Sequence, residues 1–136
     1  MIEKKYLLDT HALYCWAVQE RVSTNFIDFF NKQSEDGNVY ISSVSIWEIG
    51  LLIKKGKIDI FDLHEWKNEL LVKSKVKMID PTVSDMIDST LLPDHHKDPF
   101  DRLLIAQAKN LKAFLVSRDE KISYYEIDTF WINRAH

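Results

Sequence analysis

The sequence predicts an α/β fold, and three observations lead there. Short apolar segments of strand length, Tyr6-Leu7-Leu8, Val39-Tyr40-Ile41-Ser42 and Phe114-Leu115-Val116-Ser117, alternate with segments of helix length. Capping and turn residues stand at the junctions. No internal repeat, low-complexity tract or long linker interrupts the alternation. Together they point to an open, mostly parallel sheet covered by helices on both faces, in a single domain spanning residues 1–136. Ligands of such sheets gather outside the carboxyl ends of the strands, so acids at those ends carry particular weight.

Taken in order, Tyr6-Leu7-Leu8 is the first strand, followed by a helical turn or two from His11 to Val18. Ser23 suits a helix N-cap, because its hydroxyl can accept an otherwise unpaired first-turn N–H, and that helix runs to near Lys32. Gly37-Asn38 turns the chain into the strand Val39 to Ser42. Ser43 is the expected cap of a helix through Lys55, closed by Gly56, which tolerates a left-handed C-terminal cap. Asp62 opens the helix DLHEWKNELLVKSK, with a short strand at Val76 to Ile79 behind it. Pro81 is expected to begin the helix PTVSDMIDSTLL, and Pro93 to end it. The next helix starts within HKDPFDRLLIAQA and runs to near Leu111. Phe114 to Ser117 and Thr129 to Ile132 are the last strands.

Composition excludes several classes of function. A hydrophobic share of 46%, with 12% aromatic, supports a packed core and argues against disorder. No apolar run reaches the roughly 18 residues of a membrane span. The opening MIEKKYLLDT lacks a signal-peptide core, so a cytoplasmic protein with no membrane partner is expected. The lone cysteine, Cys15 in ALYCWAV, excludes an internal disulfide framework and a multi-cysteine zinc site, and suits a small buried hydrophobe. Gly37, Gly50 and Gly56 are too far apart to form a phosphate-cradling loop or a dinucleotide fingerprint. A net charge of −3 does not suit a general nucleic-acid coat, although basic runs occur at Lys54, Lys55 and Lys57 and at Lys73, Lys75 and Lys77.

Four acids resist a purely structural account. Asp9 directly follows the first strand, and Asp119 repeats the arrangement after Phe114 to Ser117; each could also cap the helix behind it. Glu48 lies on an apolar helix face, with Val44, Leu51 and Leu52 as its neighbours at i−4, i+3 and i+4. A carboxylate buried there needs a cation, a strong hydrogen-bond network or a proton. In HKDPFDRLLIAQA, Pro99 suits the first helical position, which makes Asp98 an N-cap and Asp101 an N3 residue resembling a capping box. Asp101 also precedes Leu104, Ile105 and Ala108 on neighbouring turns, so it is expected to point toward the sheet. Brought to one sheet edge, Asp9, Glu48, Asp101 and Asp119 repel unless protonated or neutralised, and an all-oxygen set suits Mg²⁺ or Mn²⁺. Phosphodiester hydrolysis by metal-activated water is the chemistry such a set serves best.

The segments LLDTHALYCW, ISSVSIWEIGLLIKKGKI, HKDPFDRLLIAQA and LVSRDEKISYY, in this order, give the chain its resemblance to the PIN-domain nucleases. More narrowly, they resemble the VapC-type toxin ribonucleases of toxin–antitoxin pairs. The resemblance covers almost the whole chain, from near residue 6 to near residue 125. It implies a three-layer α/β/α fold, Mg²⁺- or Mn²⁺-dependent cleavage of RNA, a cognate antitoxin and a homodimer. Asp9, Glu48 and Asp101 match the three core metal-site acids, and Asp119 the fourth, more variable one. Asp98 is carried over only as an accessory acid, while Thr10 and Ser117 match hydroxyl positions that hydrogen-bond the acids or a water on the metal. Arg102 and Arg118, with the two lysine runs, are candidates for phosphate contacts, and a salt bridge is the other reading of Arg102. His11 and His96 match the pattern of a subgroup and are expected to be hydrogen-bonding or surface residues.

Two other functions fit parts of this pattern. Phosphoryl transfer to an aspartate also places acids at strand ends, but Asp9 lacks a second acid two residues on and no strand-end lysine is evident. A PIN-like module that binds RNA or protein without turnover is the main alternative; four acids where phosphate would sit argue against it.

Overall fold

A computed structural model describes residues 4–132. Five strands form one sheet in the order β3-β2-β1-β4-β5, and every pairing is parallel. The strands are β1 (Tyr6–Leu8), β2 (Val39–Ser42), β3 (Lys77–Ile79), β4 (Phe114–Val116) and β5 (Thr129–Phe130). The helices are α1 (Thr10–Val18), α2 (Thr24–Glu35), α3 (Ser43–Lys54), α4 (Leu63–Lys73), α5 (Val83–Leu91) and α6 (Pro99–Leu111). The α/β expectation with its parallel sheet is borne out.

Alternation along the strands produces the layers. Tyr6 and Leu8 of β1, Val39 and Ile41 of β2 and Val116 of β4 pack on one side against Leu13, Trp16, Phe26, Phe30 and Ile49. Leu7 and Leu115 face the other way, onto Leu104, Ile105 and Ala108 of α6. Because β1 is buried on both faces, its three residues are all apolar, as a central parallel strand requires. Around Tyr6 the first core becomes aromatic: its ring stacks on Phe114 at 5.6 Å and meets Phe29 and Phe30 edge-on at 5.5 and 5.6 Å. Cys15 is buried as a free thiol on α1.

Local chemistry explains most boundaries. The hydroxyl of Ser23 caps α2 and the carboxylate of Asp62 caps α4, each by accepting a first-turn N–H. Gly56 has φ +73°, the left-handed conformation expected of it, behind the cap residue Lys55 of α3. Several boundaries differ from the sequence reading. Ser42 rather than Ser43 caps α3, so one residue both ends β2 and accepts Val44 N–H at 3.1 Å. Pro81 does not begin α5; Thr82 caps it, and a reciprocal pair of bonds with Asp85 at 3.0 and 2.8 Å forms the capping box. The last strand stops at Phe130 rather than Ile132, and a short 3₁₀ turn, Ile122–Tyr124, precedes it.

The order of strands matters for function. From β1 the chain moves through β2 to β3 on one side, then crosses to β4 and β5 on the other. The carboxyl ends of β1 and β4 therefore flank the point where the winding reverses, which opens a crevice there.

Phe30, fully buried among Tyr6, Phe26 and Phe29, is a test of this packing. Phe30→Ala should lower unfolding stability by roughly 3–5 kcal/mol in urea denaturation, with an unchanged slope.

Candidate metal centre

The crevice at the strand reversal holds a cavity of about 460 Å³ lined by Asp9, Thr10, Glu48, Asp101 and Asp119. Four separate segments thus bring these carboxylates to one cavity, whose lining also includes Glu20. Asp9 leaves β1 with its backbone N–H bonded to the Val116 carbonyl at 3.0 Å, which ties it to the end of β4. Its Oδ1 then caps α1 by accepting Ala12 N–H at 2.7 Å, so this side chain is both helix cap and cavity lining. Glu48 arrives on α3 and Asp101 in the first turn of α6. Asp119 follows β4, where Ser117 Oγ accepts its N–H at 3.1 Å and its own Oδ1 accepts Lys121 N–H at 2.9 Å.

Two acids of the HKDPFD segment are separated by their hydrogen bonds. Asp98 caps α6 by accepting Phe100 N–H at 2.9 Å and does not line the cavity. The expected box with Asp101 does not form. Asp101 Oδ2 instead lies 2.9 Å from His96 Nε2, which is also 3.0 Å from Asp119 Oδ2.

The electrostatics follow from burial and crowding. Asp9, 6% exposed, is pushed up to about 6, chiefly by burial; hydrogen bonds from Ser117 and Ala12 oppose this, and the charges of Glu48 and Asp119 add to it. Asp101 rises further, to about 8, from burial first and then from Asp98, Asp9, Glu48 and Asp119. Burial also raises Glu48, with Thr10 opposing as a hydrogen-bond donor and Asp98 reinforcing the shift. Among the described residues Glu48 Oε1 is buried with no hydrogen-bond partner. The Thr10 hydroxyl is further placed by Ser45, 3.0 Å away.

Cations line the cavity as well. They are Arg21, Lys57 and Arg118, with Glu20 beside Arg21 as a further acid. Arg118 is held in place, with its guanidinium 5.0 Å above the Trp131 ring and one nitrogen 3.0 Å from His11 Nε2. Burial, and then the charges of Arg118 and Arg21, lower the pKa of His11. Arg102 is placed differently. It lines no part of the cavity, and its guanidinium donates to the carbonyls of Ser89, Leu92, Pro93 and His96 at 2.8–3.1 Å. Its salt bridge is the long 3.6 Å contact to the exposed Asp94.

The sequence matches the PIN domain family over residues 6–128. The chain belongs to the PIN domain family. None of the curated proteins matches it. This PIN domain chain is similar in fold to VapBC2 from Rickettsia felis, solved bound to a DNA fragment from their promoter, at 14% identity and TM-score 0.71 over 93% of this chain and 98% of that one. It is similar also to DNA-bound VapBC from Salmonella typhimurium, at 13% identity and TM-score 0.65, covering 94% and 98%. A toxin-antitoxin complex from Klebsiella pneumoniae aligns at 18% identity and TM-score 0.56, covering 85% and 87%.

Ser45 and Tyr125 were invisible as site residues in the sequence. Ser45 reads as one more small residue in a helix, and Tyr125 reaches the His96 loop from 29 residues away. His96 had a signal in its spacing from Asp98 and Asp101, but not its partner Asp119.

Raised carboxylate pKa values make the PIN domain's metal-free stability run against the usual direction. The contribution is present below the ordinary carboxylate range and is lost as pH rises through about 6 for Asp9 and about 8 for Asp101. In chelator, the thermal midpoint should therefore fall between about pH 5 and about pH 8.5, and Asp101→Asn should flatten that slope.

Proposed function

We propose that this chain is a metal-dependent endoribonuclease whose four acids Asp9, Glu48, Asp101 and Asp119 act on RNA phosphodiester bonds. The observation that carries the reading is the buried, unpartnered Glu48 Oε1 among acids crowded enough to lift Asp9 to about 6 and Asp101 to about 8. Ionising the whole set at neutral pH, Asp101 above all, calls for a cation that replaces the missing compensation. Its donors are all oxygen, which fits Mg²⁺ or Mn²⁺ and not a soft metal.

In this reading Asp9, Glu48 and Asp101 hold the cation, and Asp119 orients the attacking water or a further ion. A divalent cation bound there supplies neutralising charge, a more acidic water and stabilisation of charge developing on phosphate. The chain's own residues set the geometry. Ser117 and Ala12 N–H hold Asp9, and Thr10 with Ser45 steadies Glu48. Arg118, fixed by Trp131 and His11, would meet the RNA backbone together with Arg21 and Lys57 of the cavity lining. Water attacks phosphorus as the bond to the RNA 3′ oxygen breaks, and the proton the water loses ends on that oxygen, leaving a 5′ phosphate and a 3′ hydroxyl. Neither histidine is free to act as the base, since His11 is engaged by Arg118 and His96 by the acids. Arg102 serves the loop rather than the phosphate.

The VapC-type toxin role rests on the sequence segments and on likeness to the solved VapBC and toxin-antitoxin assemblies. An antitoxin partner has a candidate seat in the apolar groove of about 470 Å³ lined by Ile46, Trp47, Leu51, Leu63 and Met78. Trp47 is 63% exposed there, unlike Trp16, which is buried. A homodimer has a candidate face in α5, where Val83, Met86, Ile87 and Leu91 are exposed.

The test is cleavage of total RNA by purified chain with Mg²⁺, Mn²⁺ or excess chelator. Metal-dependent cutting that falls at least about 100-fold in both Asp9→Asn and Asp101→Asn supports the reading. A folded Asp9→Asn chain cutting at the parent rate would sink it. Failure to bind Mn²⁺ in calorimetry would favour the module without turnover. Arg118→Ala should weaken single-stranded RNA binding and reduce the slope of log affinity against log salt by about 0.7, with thermal stability preserved. Arg102→Ala should instead lower stability by unpairing the loop carbonyls.

A further inference from the structure

His96 sits between two of the cavity acids, and its hydrogen bonds decide which ring nitrogen carries the proton. The backbone N–H of Asp98, which can only donate, points at His96 Nδ1 from 3.1 Å. Nδ1 is therefore the bare nitrogen, and in the neutral ring Nε2 bears the hydrogen. That nitrogen faces Asp101 Oδ2 at 2.9 Å and Asp119 Oδ2 at 3.0 Å. The His96 side chain is only 11% exposed.

The ring is held there by more than its own bonds. His96 N–H donates to the Tyr125 hydroxyl at 2.8 Å, and that hydroxyl donates to the Pro93 carbonyl at 2.8 Å. Arg102 binds the carbonyls of Pro93 and His96, so the loop entering α6 is tied at both ends of the 93–96 segment. A rigid support of this kind has little purpose for a surface histidine.

We propose that His96 is a positioning residue, a fixed Nε2–H donor that bridges Asp101 and Asp119 and sets their spacing for the cation, rather than a ligand of that cation. His96, Asp101 and Asp119 bring one nitrogen and two oxygens within 4.8 Å of one another, which superficially resembles a three-ligand metal site. The bond from Asp98 N–H argues otherwise. A ligating Nε2 must offer its lone pair, which would move the ring proton to Nδ1 and set two donors against each other. The bridge occupies one oxygen of each carboxylate and relieves part of their repulsion. The second oxygen of Asp119 already accepts Lys121 N–H, so the side chain is held from both of its oxygens, each with a lone pair left over. The effect on metal affinity rests on the nuclease reading above; the bridge itself does not.

Nitrogen-15 NMR of the histidine side chains in metal-free protein tests the bridge directly. The expected His96 pattern is a protonated Nε2 and a bare Nδ1, unchanged when Mg²⁺ is added. The opposite tautomer, or loss of the Nε2 proton on adding Mg²⁺, would overturn the proposal. Calorimetry with Mn²⁺ then separates positioning from loop support. His96→Gln places an amide donor near the Nε2 position, whereas His96→Asn keeps an acceptor for Asp98 N–H and loses the donor to the acids. The Asn variant should bind Mn²⁺ about 10–100-fold more weakly than the Gln variant, with both folded by circular dichroism. Equal affinities, or the reverse order, would show loop support alone and overturn the proposal. A parent chain that takes up no Mn²⁺ would end the metal reading, while the metal-free spectrum still decides the bridge.

Discussion

The constraint on which the site depends is the confinement of like charge at the carboxyl ends of β1 and β4. Carboxylates that point into one poorly solvated crevice raise one another's proton affinity, and burial adds to the effect. The fold accepts this cost because the winding reversal leaves the two strand ends open side by side. Everything around the acids then moderates the repulsion. Helix caps consume one oxygen, hydroxyls approach others, and an imidazole proton lies between Asp101 and Asp119. What they leave uncompensated is the work a divalent cation would do.

The rigidity of the site comes from elements that never enter it. Arg102 spends its fork on loop carbonyls between Ser89 and His96, and Tyr125 joins the same loop from beyond β4. This fixes His96, and through it the spacing of two acids. Arg118 is similarly immobilised, sandwiched in an environment of Trp131 and His11. A guanidinium held in this way loses less freedom on meeting a phosphate than one on a free side chain. The cavity therefore carries both acids and a cation whose placement is preset by their neighbours.

Much of the fold was legible because its determinants are local. Ser23, Asp62 and Gly56 act within one turn of their own position, so residue type and order suffice to place them. Of the boundaries that moved, Thr82 in place of Pro81 follows from the hydroxyl that proline lacks, and Ser42 in place of Ser43 is a case where two adjacent residues could both cap. Ser42 holds the extended backbone of the strand end, from which its hydroxyl accepts Val44 N–H. The early end of β5 reflects pairing: only Thr129 and Phe130 meet β4 in register.

The sequence by itself determined the fold class, the family segments and four of the acids that reach the cavity, though not Glu20, because apolar strand runs, strand-end aspartates and acids on apolar helix faces report on a parallel sheet and its edge. Tertiary structure alone decided what each side chain does with its hydrogen bonds. Asp98 and Asp101 lie three residues apart in one motif, yet one caps a helix and the other meets His96 across the cavity wall. Arg102 and Arg118 are the same residue type, yet one is tied to loop carbonyls and the other faces the crevice. The physical reason is that a polar side chain's role is set by which partners lie within about 3 Å. Those partners, such as Asp119 for His96 and Trp131 for Arg118, come from segments distant in the chain.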